Sequence, residues 1–247
     1  MTIHGYVIHL ERATDRRRQA EAFAAMLPMP AEMLEAVDGR AMTPAALRER
    51  ARRDVHTPRY PFPLGNGEIA CFLSHRRAWQ AIVDAGHDAG LIAEDDVAPS
   101  SPDFLPLIDA VIAGIQPGDF VRFPLRDRGE RGPRMWGVGP LHVIEPYLPT
   151  LKTQMQIVGR EAARLLLAAS ETFDRPVDSY MQMQWIHGAR MLSARPIVIR
   201  EIDGQLGGSV IHPRRRTLVD RLVHEVQRPL IRLAVRQANE RWRRKSA

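Results

Sequence analysis

The chain is almost without cysteine and has no long apolar run. Cys71 is the only cysteine among 247 residues. This excludes an internal disulfide framework and a cysteine-rich metal site, and it fits a reducing compartment. Nowhere do eighteen apolar residues run together, and the opening "MTIHGYVIHLERATDRRR" lacks the apolar stretch of a signal peptide. The expectation is a cytoplasmic protein that does not span a membrane.

What is present is ordinary for a globular protein: 45% hydrophobic and 26% charged residues, enough for a full core. The net charge of +6 is unevenly placed. Residues 213–247 hold eleven Arg and Lys against three acids, a surplus of eight, so the remaining 212 residues are slightly acidic. The basicity belongs to a tail. Two units are therefore expected, a main domain over 1–212 and a basic amphipathic C-terminal extension over 213–247.

Strand and helix signals alternate along the main domain. "IHGYVIHL" (3–10) reads as a β-branched strand, followed by a helix that Thr14 is placed to cap. "AEMLEAVDGR" is a second apolar run ending in a turn, and "TPAALRERARR" begins a helix with Thr43 as cap and Pro44 first. After a Pro-rich connector come the helix "EIACFLSHRRAWQAIVDAG", the short buried strand "GLIAEDDV", a helix near 102–114 and the strand "DFVRFP". Further on, 126–140 is rich in Gly, Pro and Arg and reads as a mobile loop, "REAARLLLAAS" as a helix, "SYMQMQWIHG" as a helix and "ARPIVIRE" as a strand. Such alternation favours an α/β domain with a mostly parallel sheet.

Three acids in a row, Glu94, Asp95 and Asp96, close the strand "LIAEDD". Ligands of open α/β sheets bind beyond the carboxyl ends of the strands, which is where these acids stand. If the chain stays extended, Glu94 and Asp96 share one side, and two carboxylates there suit Mg²⁺ or Mn²⁺ carrying a substrate diphosphate. The same string would also serve as an acidic turn. Upstream, helical projection puts Glu68, Phe72, His75, Trp79 and Ile82 on one inward stripe. A carboxylate and an imidazole buried there need partners, either each other and the backbone, or a nucleotide.

The blocks "YVIHLERATDRRR", "AVDGR", "LGNGEIACFLSHRRAW", "LIAEDDV" and "RPVDSYM", in this order, resemble the signature blocks of glycosyltransferase family 25, which includes bacterial lipooligosaccharide galactosyltransferases and collagen galactosyltransferases. The resemblance runs over roughly 3–212. It implies a GT-A-type, Rossmann-like fold with a mixed, mostly parallel sheet flanked by helices. It also implies a metal-dependent, inverting hexosyl transfer, most simply galactosyl, from a UDP-sugar to a glycan or glycolipid acceptor such as lipopolysaccharide. By this match Asp96 and Glu94 hold Mn²⁺ or Mg²⁺, while Glu94 and Asp95 also handle the donor. Arg16, Arg17, Asp38, Glu68 and His75 line the nucleotide, and Asp178 is the base. For Asp178 a helix N-cap is an equal reading, and His187 and His212 are further candidate metal ligands or simply hydrogen-bonded histidines.

The chain departs from the family pattern at His9, where Asn is usual, at Met155 and Gln156, and at Gly208. A second reading is therefore a catalytically impaired, membrane-associated binding or scaffold protein of the same fold. In the tail, Leu218, Leu222, Val226, Leu230, Leu233 and Trp242 recur among arginines with Pro229 between them, as in a helix lying on an anionic membrane surface. The alternative is a helix docked on the domain. No pattern of nucleic-acid recognition accompanies the basic residues, and no nucleic acid is expected as a partner.

Overall fold

The computed structural model describes residues 1–205 and 218–246. Its first unit is β1 (Ile3–His9), α1 (Thr14–Met26) and β2 (Ala31–Glu35). Next come α2 (Pro44–Arg50), a connector, α3 (Asn66–Asp84), β3 (Ala89–Glu94), the short β4 (Val97–Pro99), α4 (Phe104–Ile112) and β5 (Asp119–Arg122). A hairpin of β6 (Arg134–Val138) and β7 (Leu141–Ile144) leads to β8 (Met155–Gly159) and α5 (Arg160–Ala169). The chain continues through α6 (Val177–Met181), α7 (Gln184–His187), β9 (Arg190–Arg195), β10 (Ile199–Glu201), a 3-10 turn at Asp203–Gln205 and α8 (Leu218–Ser246).

Eight strands form one sheet in the order β2-β1-β3-β8-β5-β9-β7-β6, with β10 and β4 paired separately. Following the pairings, all but β7 and β8 run the same way, so the sheet is mixed and mostly parallel, as expected. Strand alternation sends Val7 and Leu91 into one core with Phe23 of α1 and Leu107 of α4. Tyr6 and Ile92 enter a second core with Phe72 and Trp79 of α3. Burial on both faces explains why β1 and β3 are nearly free of charge until their carboxyl ends.

Local signals hold where the side chain acts on its own turn. Thr43 Oγ1 accepts the N–H of Ala46 at 3.2 Å, with Pro44 as the first helical residue. Thr14 instead is the first residue of α1, and Ala13 occupies the cap position without a side-chain bond. Residues 126–133 are irregular, as expected of a loop, but 134–140 enters the hairpin of β6 and β7. Gly137 and Gly139, at φ of +116° and +56°, let the chain reverse from β6 into β7. The Trp136 indole N–H then bonds the Ala110 carbonyl of α4 at 3.1 Å and pins the hairpin to the body. "SYMQMQWIHG" is broken into α6 and α7, and "ARPIVIRE" into β9 and β10 about Pro196, which has no N–H to donate to a ladder.

The last helix packs on the domain over its second half. Val235 and Asn239 are buried, and the Asn239 amide donates to the Gln182 carbonyl at 2.8 Å while accepting the Gln184 N–H at 3.2 Å. Arg243 adds an ion pair to Glu145 at 3.1 Å. Leu230 and Leu233 remain 62% and 53% exposed, so docking covers only part of the apolar surface. Gly208, His212 and the arginines at 214–216 lie outside the described residues.

Candidate functional site

The parallel register sets Ile8 of β1 beside Glu94 of β3, so His9 arrives next to the acids that follow β3. The chain does not stay extended there: it turns at Asp95–Asp96 and directs the three carboxylates differently. Asp95 faces β1 and α1, where its Oδ2 meets His9 Nδ1 at 2.9 Å and its Oδ1 accepts from Arg16 Nη1 at 2.9 Å. Both of its oxygens are taken. Glu94 faces α3, with Oε1 3.3 Å from His75 Nε2. The Gln156 amide of β8 donates to His75 Nδ1 at 3.0 Å, which leaves the imidazole proton on Nε2, pointing at Glu94. Gln156, a departure from the family pattern, thus orients a site histidine.

Asp96 is the carboxylate left over. It is buried, its Oδ1 has no hydrogen-bond partner among the described residues, and Arg16 Nη1 approaches Oδ2 only to 3.6 Å. Burial, followed by the charges of Glu94 and Asp95, pushes its pKa up to about 7 against the opposing pull of Arg16. A buried acid oxygen without a donor, held among like charges, is the kind of ligand that a divalent cation satisfies. Asp96 offers such an oxygen, whereas both oxygens of Asp95 are committed. Cys71 stands beside them: its sulfur, a His75 nitrogen and a Glu94 oxygen lie within 4.8 Å of one another. Burial raises the thiol well above its ordinary pKa, and Glu94, Asp178, Asp96 and Glu68 raise it further, so it is a neutral neighbour of an acidic hollow.

Asp178 belongs to the same hollow. It sits in the first turn of α6 rather than at its cap, accepting the Lys152 N–H at 3.2 Å and the Ser179 hydroxyl at 3.3 Å. Burial raises its carboxyl pKa, those two bonds lower it, and the charge of Glu94 adds to the rise. Lys152 holds φ at +87°, rare outside glycine, and its ammonium binds Glu201 of β10 at 2.6 Å. Strained backbone of this kind, worth roughly 1–3 kcal/mol, concentrates at functional sites.

Other expected residues are committed to partners of their own. Arg17 is exposed and paired with Glu21 one turn on, at 2.8 Å. Asp38, in the loop after β2, accepts from the Arg40 N–H and from Arg12 Nε, which hold its carboxyl below the usual range. Glu68 does not join the buried stripe of Phe72, His75, Trp79 and Ile82. Its Oε2 instead takes the Gly65 N–H at 2.8 Å, satisfying an amide at the start of α3. His9, Gln156, Lys152 and Glu201 were not read as site residues, because strand register and chain reversal bring them in from distant positions.

His187 is no ligand. Its Nε2 donates to the Met181 carbonyl at 3.2 Å and its Nδ1 accepts the Ala189 N–H at 3.1 Å, so both nitrogens are committed as the neutral ring. Burial pushes its pKa down to about 4. A histidine depressed in the fold stays neutral while the unfolded chain binds a proton, so stability is lost as pH falls from about 6.5 to about 4, by up to roughly 3 kcal/mol. Melting curves across this window should show His187→Gln with a flatter pH dependence than the wild type. Equal slopes would reject this account.

Residues 2–123 match the family model described as "Glycosyltransferase family 25 (LPS biosynthesis protein)". The match takes in just under half of the chain. The family segment holds His9, Arg16, Cys71, His75 and the triplet, whereas Asp178 lies beyond it. Similar proteins include a glycosyltransferase 25 family member of Anopheles gambiae, 34% identical over 97 residues, 38% of this chain and 16% of that protein. Procollagen galactosyltransferase 2 of Homo sapiens is 34% identical over 95 residues, 37% of this chain and 15% of that protein. A Bos taurus protein named "Probable inactive glycosyltransferase 25 family member 3" is 25% identical over 211 residues, 78% of this chain and 36% of that protein. The chain spans about a sixth of the length of the first two relatives.

Proposed function

We propose that the protein is an inverting glycosyltransferase with a GT-A-type nucleotide-sugar site, moving a hexosyl group, galactosyl by analogy with its relatives' names, from a UDP-sugar to a glycan or glycolipid acceptor such as lipopolysaccharide. The observation that carries this reading is Asp96, a buried carboxylate with an unpartnered oxygen at the carboxyl end of β3, among Glu94, Asp178 and Cys71. Asp96 and Glu94 would hold Mn²⁺ or Mg²⁺, which when bound neutralises the departing diphosphate. His9 and Arg16 clamp Asp95 and so fix the turn that presents Asp96. Arg12 with Asp38, and Arg17 at the start of α1, are assigned to the outer rim on the nucleotide side. Asp178 takes the acceptor hydroxyl proton onto its carboxylate, the Lys152 N–H and Ser179 hydroxyl keeping that group oriented.

No helix among the described residues is long and apolar enough to cross a membrane. The exposed Leu230 and Leu233 of α8 flank Arg232, and this surface supports peripheral contact with anionic lipid at the cytoplasmic face. The second reading, a catalytically impaired protein of the same fold, is favoured by one observation: the relative covering 78% of this chain carries an inactive name.

The test is thermal stabilisation by UDP-, GDP- and CMP-sugars with and without Mn²⁺. At a donor concentration about 100 times Kd the wild type should gain about 2.7 kcal/mol with one UDP-sugar in the presence of Mn²⁺, and Asp96→Ala should gain nothing. Absence of a shift with every donor would overturn the proposal. A shift without turnover would favour the impaired protein.

A further inference from the structure

A cavity lies along the same helix. α3 begins at Asn66, nine residues before His75. At a rise of about 1.5 Å per residue its first residue therefore stands about 13 Å from His75, and about 7–8 Å from Cys71, along the helix axis. There α2, the connector and α3 enclose a cavity of about 230 Å³ whose wall includes Arg48, Arg52, Arg53, Tyr60, Phe62 and Asp174.

The wall has cations without counterions. Among the described residues, the exposed side chains of Arg48, Arg52 and Arg53 have neither hydrogen bond nor ion pair. Asp174 does not neutralise them: its oxygens are occupied by Arg175 Nε at 2.7 Å and by the N–H groups of Val55 and His56, both at 3.0 Å. The aromatic part of the wall is held in place. Arg175 is itself buried, donates to the Pro58 carbonyl at 2.8 Å and stands 5.6 Å over the Tyr60 ring, while Tyr60 and Phe62 pack edge to face at 5.5 Å. The connector thus presents fixed ring surface beside free guanidinium groups.

These two halves ask for one ligand with two kinds of surface. Guanidinium forks pair with phosphate or carboxylate in bidentate fashion, and an aromatic ring offers an apolar face to the C–H side of a pyranose. The acid hollow repels anions unless a cation intervenes, so a separate anionic group is drawn to the arginines instead. We propose that this cavity is an acceptor subsite for a saccharide bearing a phosphate or carboxylate group. The assignment to the acceptor rests on the glycosyl-transfer reading. Cavity and acids thus lie within about two to three turns of α3 from each other, a span of about 8–13 Å that a short saccharide covers.

The experiment is ligand-observed NMR titration of the full chain with glucose 6-phosphate, glucuronate, glucose and inorganic phosphate, beside UDP with Mn²⁺. It is run on the wild type, on the triple variant R48A/R52A/R53A and on Tyr60→Ala. The three arginines are exposed and unpaired, so the triple variant should keep its melting temperature. The wild type should bind glucose 6-phosphate and glucuronate about tenfold more tightly than glucose or inorganic phosphate alone, and each arm of the design should lose about tenfold in its variant. UDP affinity should be the same in the triple variant as in the wild type. Charged sugars that fail to bind, or that bind the triple variant equally well, would overturn the subsite. So would inorganic phosphate binding as tightly as the sugar phosphate, or UDP binding that falls with the arginines, which would place the nucleotide there. Sugar-phosphate binding that needs the arginines, in a protein that never binds UDP with Mn²⁺, would retain the anionic-saccharide site and remove the transfer reading instead.

Discussion

Asp178→Asn is expected to lower kcat for hexosyl transfer by about 10³-fold, within the roughly 10²–10⁴ that a positioned general base contributes. Donor KM should move by no more than about threefold, because the substitution removes an interaction made only as the acceptor hydroxyl loses its proton. The environment of Asp178 is suited to that task. Burial and the nearby Glu94 charge raise its proton affinity above that of an ordinary aspartate, while the Lys152 N–H and Ser179 hydroxyl keep the ionised form in place. The base works only when ionised, so wild-type activity falls as pH drops through the raised pKa, and the acid limb of the pH–rate profile should stand above the ordinary aspartate value of 3.8. Measured at saturating Mn²⁺, which keeps Asp96 ionised, the residual rate of Asp178→Asn should lack that limb. A residue that merely supports α6 would behave otherwise, lowering the melting temperature while leaving kcat and its pH profile unchanged.

Much of the frame was legible because burial repeats along single elements. The apolar run ending in "AEDDV" could be little else than a buried strand with its acids at the open end, and the stripe of Phe72, His75, Trp79 and Ile82 is buried as its spacing predicts. Glu68 shares that stripe by angle but lies in the first turn of α3, where a free amide competes for its carboxylate and wins. Angular projection carries no information about where a helix leaves the core. The hairpin of β6 and β7 was hidden for a related reason. β6 is mostly exposed, so no alternation marks it, and the hairpin is placed by the pairing of β7 with the distant β9 and by the indole contact with α4.

Least legible was which acid does what. Adjacent in sequence, Glu94, Asp95 and Asp96 differ because each meets another part of the chain: His75 on α3, then His9 and Arg16 from the first strand and helix, then no donor for Asp96 Oδ1. Those partners sit 19, 86 and 79 positions away from the acids they meet. His9 and Gln156 look like losses when matched to a family pattern, yet in the fold each holds a site side chain in position. A departure from pattern is thus compatible with a working site when the new side chain finds a partner of its own.

The clamp on Asp95 makes the second large effect. Arg16→Gln should destabilise the protein by about 3–5 kcal/mol, the usual cost of removing one member of a buried ion pair. For a chain of this size that is a fall in melting temperature on the order of 10 °C. Arg16 is only 4% exposed and is the guanidinium that meets both Asp95 and Asp96. Without it, the charges of Glu94 and Asp95 act on Asp96 unopposed by Arg16, and His9 stays as a partner of Asp95. Adding Asp95→Asn to the variant should recover a large part of the loss, since the stranded charge is then gone, and a double-mutant cycle in urea measures that coupling. A change of less than about 2 °C in the single variant would show that the hollow tolerates its charges without the clamp. The consequence for ligand binding follows from sign. Arg16 is the group that opposes the rise in the Asp96 pKa, so its removal drives that pKa higher and leaves Asp96 protonated at neutral pH. A protonated acid competes with a cation, and the variant should need a more alkaline solution before Mn²⁺ supports donor binding.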